Sequence, residues 1–244
     1  TGLFVRGGDN DQNLFLYQGL PLYHVSHLGG IFSSFNVATI SRVDFYKAGF
    51  PSKYGGRISS ITDVMMKQPD FEEFHGRFNI GLLCANAYVT GPIVKNKTAF
   101  SVGLRRSWLD IVSIPTLAIV NAIEKKKGKK HIAGYNFTDF NARLDHIFNN
   151  SMSAYVVGYY GHDNLKIGLR EFEGENNSYL VGPDGKPELD DSKAETRFFD
   201  ENTNRLSWGN WGVLGSFTYR PYIGSLNFSA YYTSYTSKYR QERE

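Results

Sequence analysis

The sequence predicts a mostly β chain: a compact mixed sheet followed by long antiparallel strands in up-and-down order. Three observations carry that prediction. The composition, with 16 Tyr, 18 Phe and 25 Gly in 244 residues, suits strands and tight corners better than helices. From Phe74 onward, apolar and polar residues alternate in segments of about nine or more, the length and period of strands able to cross a bilayer. The connections between those segments are short on one side and long on the other.

Composition also excludes several classes. A net charge of +3 is too small to point to nucleic acid or anionic surfaces as partners. The single cysteine, Cys84, leaves no internal disulfide framework and no multi-cysteine metal site. No window reaches the roughly 18 apolar residues of a membrane helix, whereas strands that face lipid on one side and water on the other never produce one.

Residues 1–68 read as the mixed sheet. Gly7-Gly8, Gly29-Gly30 and Gly55-Gly56 are its natural corners, and Val43 and Phe45 alternate with Asp44 and Tyr46. Asp9, Asn10, Asp11, Gln12 and Asn13 form a cluster of turn formers. Its hard oxygens could take a cation, but the spacing of a calcium loop is missing and a solvated turn is the plainer reading. His24 and His27 are three apart and could offer two nitrogen ligands from one helical turn. No third ligand lies nearby, so turn-packing histidines are preferred and no metal is assigned.

Residues 69–73, Pro69 to Glu73, form a polar hinge, after which the texture changes. Seven alternating runs occupy 74–244. The first, Phe74 to Leu82, sets Phe78 and Ile80 against Arg77 and Asn79; the second covers Ala85 to about Ile93. The third, Thr98 to Trp108, sets Phe100, Val102 and Leu104 against Ser101, Gly103 and Arg105. Residues 109–135 break the pattern: Ile111 to Ile123 is apolar but interrupted by Pro115, and is followed by a lysine cluster at 125–130. This stretch reads as a long loop with a short helix. Its lysines could contact phosphates of surface lipid or an anionic ligand, against the plainer reading of a solvated loop tip.

Alternation resumes from Phe137 to Phe148, where Phe140, Ala142 and Leu144 oppose Asn141, Arg143 and Asp145, and continues from Met152 to about Tyr160. A long polar stretch at about 162–202 follows, then runs at Thr203 to Tyr219 and Gly224 to Tyr239. Short turns alternating with long loops, and Trp108, Tyr159, Tyr160, Tyr219 and Tyr222 near strand ends, suit a membrane barrel with an aromatic girdle. A soluble antiparallel sandwich alternates just as cleanly, and pattern alone leaves both open.

Five motifs in order decide between them: Val5-Arg6-Gly7, Leu16 to Pro21, Ser34-Phe35-Asn36, Val43 to Gly49, and Tyr54 to Ser60. Together they resemble the second half of the plug domain of TonB-dependent outer-membrane transporters. One departure is Gln18-Gly19, where the family has Asp-Gly. By motif the resemblance covers about residues 3–110, and beyond that by texture only.

The resemblance implies a division into 1–68, the C-terminal part of a plug; 69–73, a hinge; and 74–244, the first seven strands of a 22-stranded barrel. Because it starts within the plug, the chain is expected to be a fragment of a larger transporter. The implied function is active import of a scarce nutrient (metal chelate, vitamin, saccharide or peptide) across the outer membrane of a Gram-negative-type bacterium. The implied partners are the TonB–ExbB–ExbD energy-coupling complex, outer-membrane lipid and the nutrient, with a surface lipoprotein as a further candidate; no cofactor and no nucleic acid is implied. Arg6, Gly7, Tyr54, Gly55, Gly56 and Arg57 are expected to latch plug to barrel, because a buried arginine needs a partner. Asp9, Asn10, Asp11, His24 and His27, toward the plug apices, are candidates for ligand contact.

An enzyme is not expected: there is no Gly-x-Ser-x-Gly, no phosphate-binding glycine loop and no His-Glu-x-x-His. Asp190-Asp191 falls in the long polar stretch and reads as solvated. The alternative to a transporter is a surface module that binds glycans or peptides without moving them.

Overall fold

The computed structural model describes residues 12–47, 50–51, 54, 59–124, 129–173, 179–181, 187–189 and 198–243. The chain divides into two compact units. One comprises Thr1–Leu109, Tyr135–Asn164 and Ser207–Lys238, and the other Asp110–Gly134, Leu165–Leu206 and Tyr239–Glu244.

The first unit contains a four-stranded mixed sheet, hereafter the inner sheet. It is built from β1 (Asn13–Tyr17), β2 (Leu20–Leu22), β5 (Ile40–Lys47) and β6 (Ser60–Met66), in the order β2-β1-β6-β5. β1 and β2 form an antiparallel hairpin and β6 runs parallel to β1, with Asn13 opposite Ser60 and Tyr17 opposite Val64. A parallel pair cannot be joined by a tight turn, so the chain crosses over between them. The crossover holds β5 and a small ribbon of β3 (Ser26–His27) and β4 (Phe32–Ser33).

The hairpin turns at Gln18 and Gly19 with φ of 54° and 84°, the left-handed pair of a two-residue turn. Glycine takes this conformation freely, but glutamine does so at a cost. Two bonds hold it there: the Gln18 amide donates to Val64 O at 2.8 Å, and its Oε1 accepts from Met66 N at 2.9 Å.

The second sheet, hereafter the wall, has seven strands: β7 (His75–Ile80), β8 (Cys84–Val94), β9 (Thr98–Ser107), β10 (Lys129–Asn149), β11 (Met152–Glu173), β14 (Phe198–Tyr219) and β15 (Leu226–Arg243). Its order is the chain order, an up-and-down meander, with a separate ribbon of β12 (Tyr179–Val181) and β13 (Pro187–Leu189) inserted before β14. Short turns close β8–β9 at 95–97, β10–β11 at 150–151 and β14–β15 at 220–225.

The wall is inverted relative to a soluble sheet. In the first unit the buried face of β9 carries Ser101, Gly103, Arg105 and Ser107, while Leu104 is exposed. On β10, Asp139, Asn141, Arg143 and Asp145 are buried, while Phe140 and Leu144 are exposed. The pattern recurs on β14, where Asn210 and Ser216 are buried and Trp211 and Val213 exposed. A soluble sandwich buries the opposite set. The apolar core instead joins the two sheets: Tyr17, Leu20, Leu22, Phe35, Val64 and Met66 pack with Val157, Tyr159 and Leu214 of the wall.

Two connections differ from expectation. Residues 109–124 are not a loop with a short helix but α1 (Leu109–Glu124), sixteen residues that run through Pro115 despite its missing amide hydrogen. The polar stretch at 162–202 is largely strand: β11 continues to Glu173 and β14 starts at Phe198, just as β10 starts at Lys129 rather than Phe137. In the second unit, polar pairs add to the alternation of Leu165, Ile167 and Leu169 with Lys166, Gly168 and Arg170. Lys129 Nζ meets Glu171 Oε1 at 2.7 Å, Arg170 pairs with Glu201, and Tyr239 donates to Asn204 Oδ1 at 2.6 Å.

Candidate functional site

Inside the first unit, segment 23–39 of the inner sheet's crossover is tied to the wall by a buried polar network. Its centre is His27, 1% exposed, at the end of β3. Nδ1 lies 2.9 Å from Asp163 Oδ2 on β11, and Nε2 lies 3.0 Å from Asp139 Oδ1 on β10. The imidazole stacks on the Phe137 ring at 4.0 Å between centroids, with 2° between the planes. A neutral imidazole has one N–H and can donate to only one of these carboxylates. Both contacts are satisfied together by the imidazolium.

Each carboxylate has a second donor. Arg105 is the cross-strand partner of Asp139 in the β9–β10 register, and its Nε donates to Asp139 Oδ2 at 2.8 Å. The same guanidinium donates to Ser33 O at 2.5 Å, a backbone carbonyl of the inner segment. The Tyr135 hydroxyl donates to Asp163 Oδ1 and accepts from Leu28 N at 2.7 Å. With His27 and Arg105 positive and Asp139 and Asp163 negative, the four charges cancel. Burial by itself would lower the His27 pKa, but the hydrogen bonds and charges of Asp139 and Asp163 outweigh it and hold it above the ordinary histidine value.

His24 has a different environment. Its Nε2 accepts from Trp208 Nε1 at 3.0 Å, which requires that nitrogen to be unprotonated. Its backbone carbonyl accepts from Asn210 Nδ2 at 2.5 Å, and Asn210 Oδ1 accepts from the amides of Tyr23 and His24, both at 3.3 Å. Burial is the main cause that pushes its pKa down, with the His27 charge acting in the same direction and the Asp163 charge opposing.

A third tie lies at residues 36–39. A Cβ on Gly103 of β9 would stand 2.3 Å from Thr39 Cγ2, so only glycine lets this turn approach the wall so closely. The Thr39 hydroxyl meets Tyr17 Oη at 3.0 Å, which binds the turn back to β1. Beside it lies a cavity of about 250 Å³ lined by Asn36, Arg77, Asn79, Asn86 and Arg105.

The expected site residues therefore fall in different places. His24 and His27 lie in the junction, on separate partners rather than on one turn of helix. Tyr54 donates from its hydroxyl to Asp63 Oδ2 at 3.0 Å, while Asp63 Oδ1 accepts from Gly19 N at 3.2 Å. That tie lies within the inner sheet. Arg6, Gly7, Asp9, Asn10, Asp11, Gly55, Gly56 and Arg57 lie outside the described residues. Among the described residues no group of three or more His, Cys, Asp and Glu is arranged to hold a metal ion, and no helix is long and apolar enough to cross a membrane. Arg105, Tyr135, Asp139, Asp163, Trp208 and Asn210 were not singled out from sequence. The available signal was parity for Arg105 and Asp139, which occupy inward positions of the runs Thr98 to Trp108 and Phe137 to Phe148; Tyr135 and Asp163 lie just outside the runs read from sequence.

The chain matches no protein-family model and no curated protein. Among solved structures it is similar to the siderophore receptor PirA from Pseudomonas aeruginosa, at 11% identity and a TM-score of 0.47, over 99% of this chain and 46% of that one. The siderophore receptor PirA from Acinetobacter baumannii matches at 11% identity and a TM-score of 0.43, over 88% and 42%. A mutant of the ferric enterobactin receptor PfeA from Pseudomonas aeruginosa matches at 12% identity and a TM-score of 0.40, over 98% and 48%. The chain spans less than half the length of these receptors.

Proposed function

We propose that the wall is part of a transmembrane β-barrel in the outer membrane of a Gram-negative-type bacterium, and that the inner sheet is part of its plug. The protein then imports a scarce nutrient, a metal chelate, vitamin, saccharide or peptide, with energy delivered by a TonB–ExbB–ExbD complex. The observation that carries this reading is the inverted wall, whose apolar face is exposed and whose charged face, in the first unit, is covered by the inner sheet. Lipid on one side and a plug on the other account for both faces. The ordered glycine and arginine motifs across residues 3–110 supply independent support.

In this reading His27, Arg105, Asp139 and Asp163 form a clasp between plug and barrel, alongside the latch expected at Arg6, Gly7, Tyr54, Gly55, Gly56 and Arg57. Ligand contact is assigned to the segment around His24 and His27, to Asp9, Asn10 and Asp11, and to the long connections at 109–136 and 161–202. No covalent step is assigned to any residue.

Cells carrying and lacking the full-length gene can be compared for accumulation of radiolabelled ferric chelates, cobalamin, oligosaccharides and peptides. The proposal expects gene-dependent accumulation of one class that stops on adding an uncoupler. Gene-dependent retention that persists with the uncoupler would overturn it in favour of a surface-binding module.

A further inference from the structure

Within the first unit, the inward face of β7, β8 and β9 carries a row of polar side chains. The register sets Asn79 opposite Asn86 and Asn86 opposite Arg105, and cross-strand partners share a face of the sheet. Arg77 stands two residues before Asn79, on the same face of β7. Together with Asn36 of the inner segment they line the cavity of about 250 Å³. Among the described residues, the side chains of Arg77, Asn79 and Asn86 make no hydrogen bond or ion pair. Asn36 is 1% exposed; its Oδ1 accepts from Ala38 N at 3.1 Å, but its Nδ2 is buried without a partner. A buried donor of this kind calls for an acceptor that the described chain does not supply.

The charge left over at this cavity is positive. No carboxylate is among its described lining residues. Arg105 is balanced by Asp139, whereas Arg77 has no acidic partner among the described residues. Lys67 donates from Nζ to the carbonyl of the lining residue Ala38 at 2.8 Å and adds a second cation beside the site. Asp70, before β7, is engaged by His75 Nε2 at 3.0 Å. A neutral, hydroxyl-bearing ligand could use the amides but would leave the guanidinium unmatched. A carboxylate or phosphate accepts from both, and the planar fork of arginine fits either in two parallel bonds. We propose that this cavity binds an oxyanion, a carboxylate or phosphate, carried by the ligand. Arg77 supplies the charge, and Asn36, Asn79 and Asn86 supply further donors. This inference rests on the reading of the protein as a nutrient importer and makes the nutrient anionic.

Cys84 lines the same cavity and is the only cysteine of the chain, so its rate of modification reports on the site. The full-length protein in lipid nanodiscs is treated with anionic sulfonatoethyl or cationic trimethylammonioethyl methanethiosulfonate, and the Cys84 peptide is followed by mass. The ratio of anionic to cationic rates should fall about twofold or more in Arg77→Gln and stay near the wild-type value in Arg77→Lys, which keeps the charge. Citrate or inorganic phosphate should slow labelling by the neutral methyl reagent about threefold or more in wild type, and not in Arg77→Gln. Protection by citrate assigns a carboxylate, and protection by phosphate assigns a phosphate. Absence of protection by both, equal protection by maltose, or a Cys84 that no reagent reaches would overturn the inference. Uncoupler-sensitive uptake is measured separately. Import without protection overturns this inference alone, and protection without import overturns the import reading alone.

Discussion

His24 and His27 lie three residues apart and are held in opposite protonation states. Trp208 donates to Nε2 of His24, which fixes that ring as neutral, whereas His27 faces a carboxylate at each nitrogen and is fixed as the cation. The junction between inner sheet and wall therefore contains a buried positive charge whose presence depends on a proton.

Replacing His27 with Leu should be strongly destabilising, by about 3–5 kcal/mol, because Asp139 and Asp163 would remain buried with part of their positive complement removed. Urea unfolding of the reconstituted protein checks this. An unchanged midpoint would mean that the clasp contributes nothing.

The two histidines give pH slopes of opposite sign. The folded pKa of His27 is raised, so its contribution is complete below the unfolded value of about 6.5 and is lost as pH rises through the folded value. That of His24 is lowered, so its contribution is present above about 6.5 and is lost as pH falls through the folded value. The stability difference between wild type and His27→Gln should shrink on the alkaline side, while that between wild type and His24→Gln should shrink on the acid side. Imidazole nitrogen shifts recorded across the same range assign each slope to its ring.

Gly103→Ala should cost about 1–3 kcal/mol, since the new methyl group would overlap Thr39 Cγ2. Adding Thr39→Ser removes that methyl and keeps the hydroxyl that meets Tyr17, so the double variant should recover most of the loss. Thermal melts of the two variants distinguish steric overlap from a general intolerance of change at β9.

Gln18→Ala should destabilise by about 1–3 kcal/mol, because Met66 N loses its acceptor while the left-handed backbone at residue 18 remains. Amide exchange at Met66 should quicken. Unchanged exchange would show that the side chain does not hold the turn.

Much of the wall can be read directly from the chain. Alternation at Thr98–Trp108 and Phe137–Phe148 sets the strands and separates the polar from the apolar face, and Gln18-Gly19 marks the inner hairpin. Other features leave weaker traces. Leu165, Ile167 and Leu169 still alternate with Lys166, Gly168 and Arg170, but Asp200 to Arg205 is polar on both faces, so pairing there continues through contacts such as Arg170–Glu201 with no hydrophobic period to reveal it. Pro115 argued against a long helix, yet α1 runs through it. The clasp was hidden for a different reason. Arg105, Asp139 and Asp163 each look like ordinary water-facing residues within their own strands, and only the register and the arrival of His27 bring them together.

The most direct test of the central claim is a spin-label scan of β10 from Phe140 to Asp145 in the full-length protein in lipid bilayers, comparing collision with oxygen against collision with a water-soluble nickel chelate. The account predicts oxygen-accessible labels at Phe140, Ala142 and Leu144, alternating with labels at Asn141, Arg143 and Asp145 that neither reagent reaches freely. Free access of the nickel chelate at Phe140, Ala142 and Leu144 would place water on the apolar face and contradict the membrane wall.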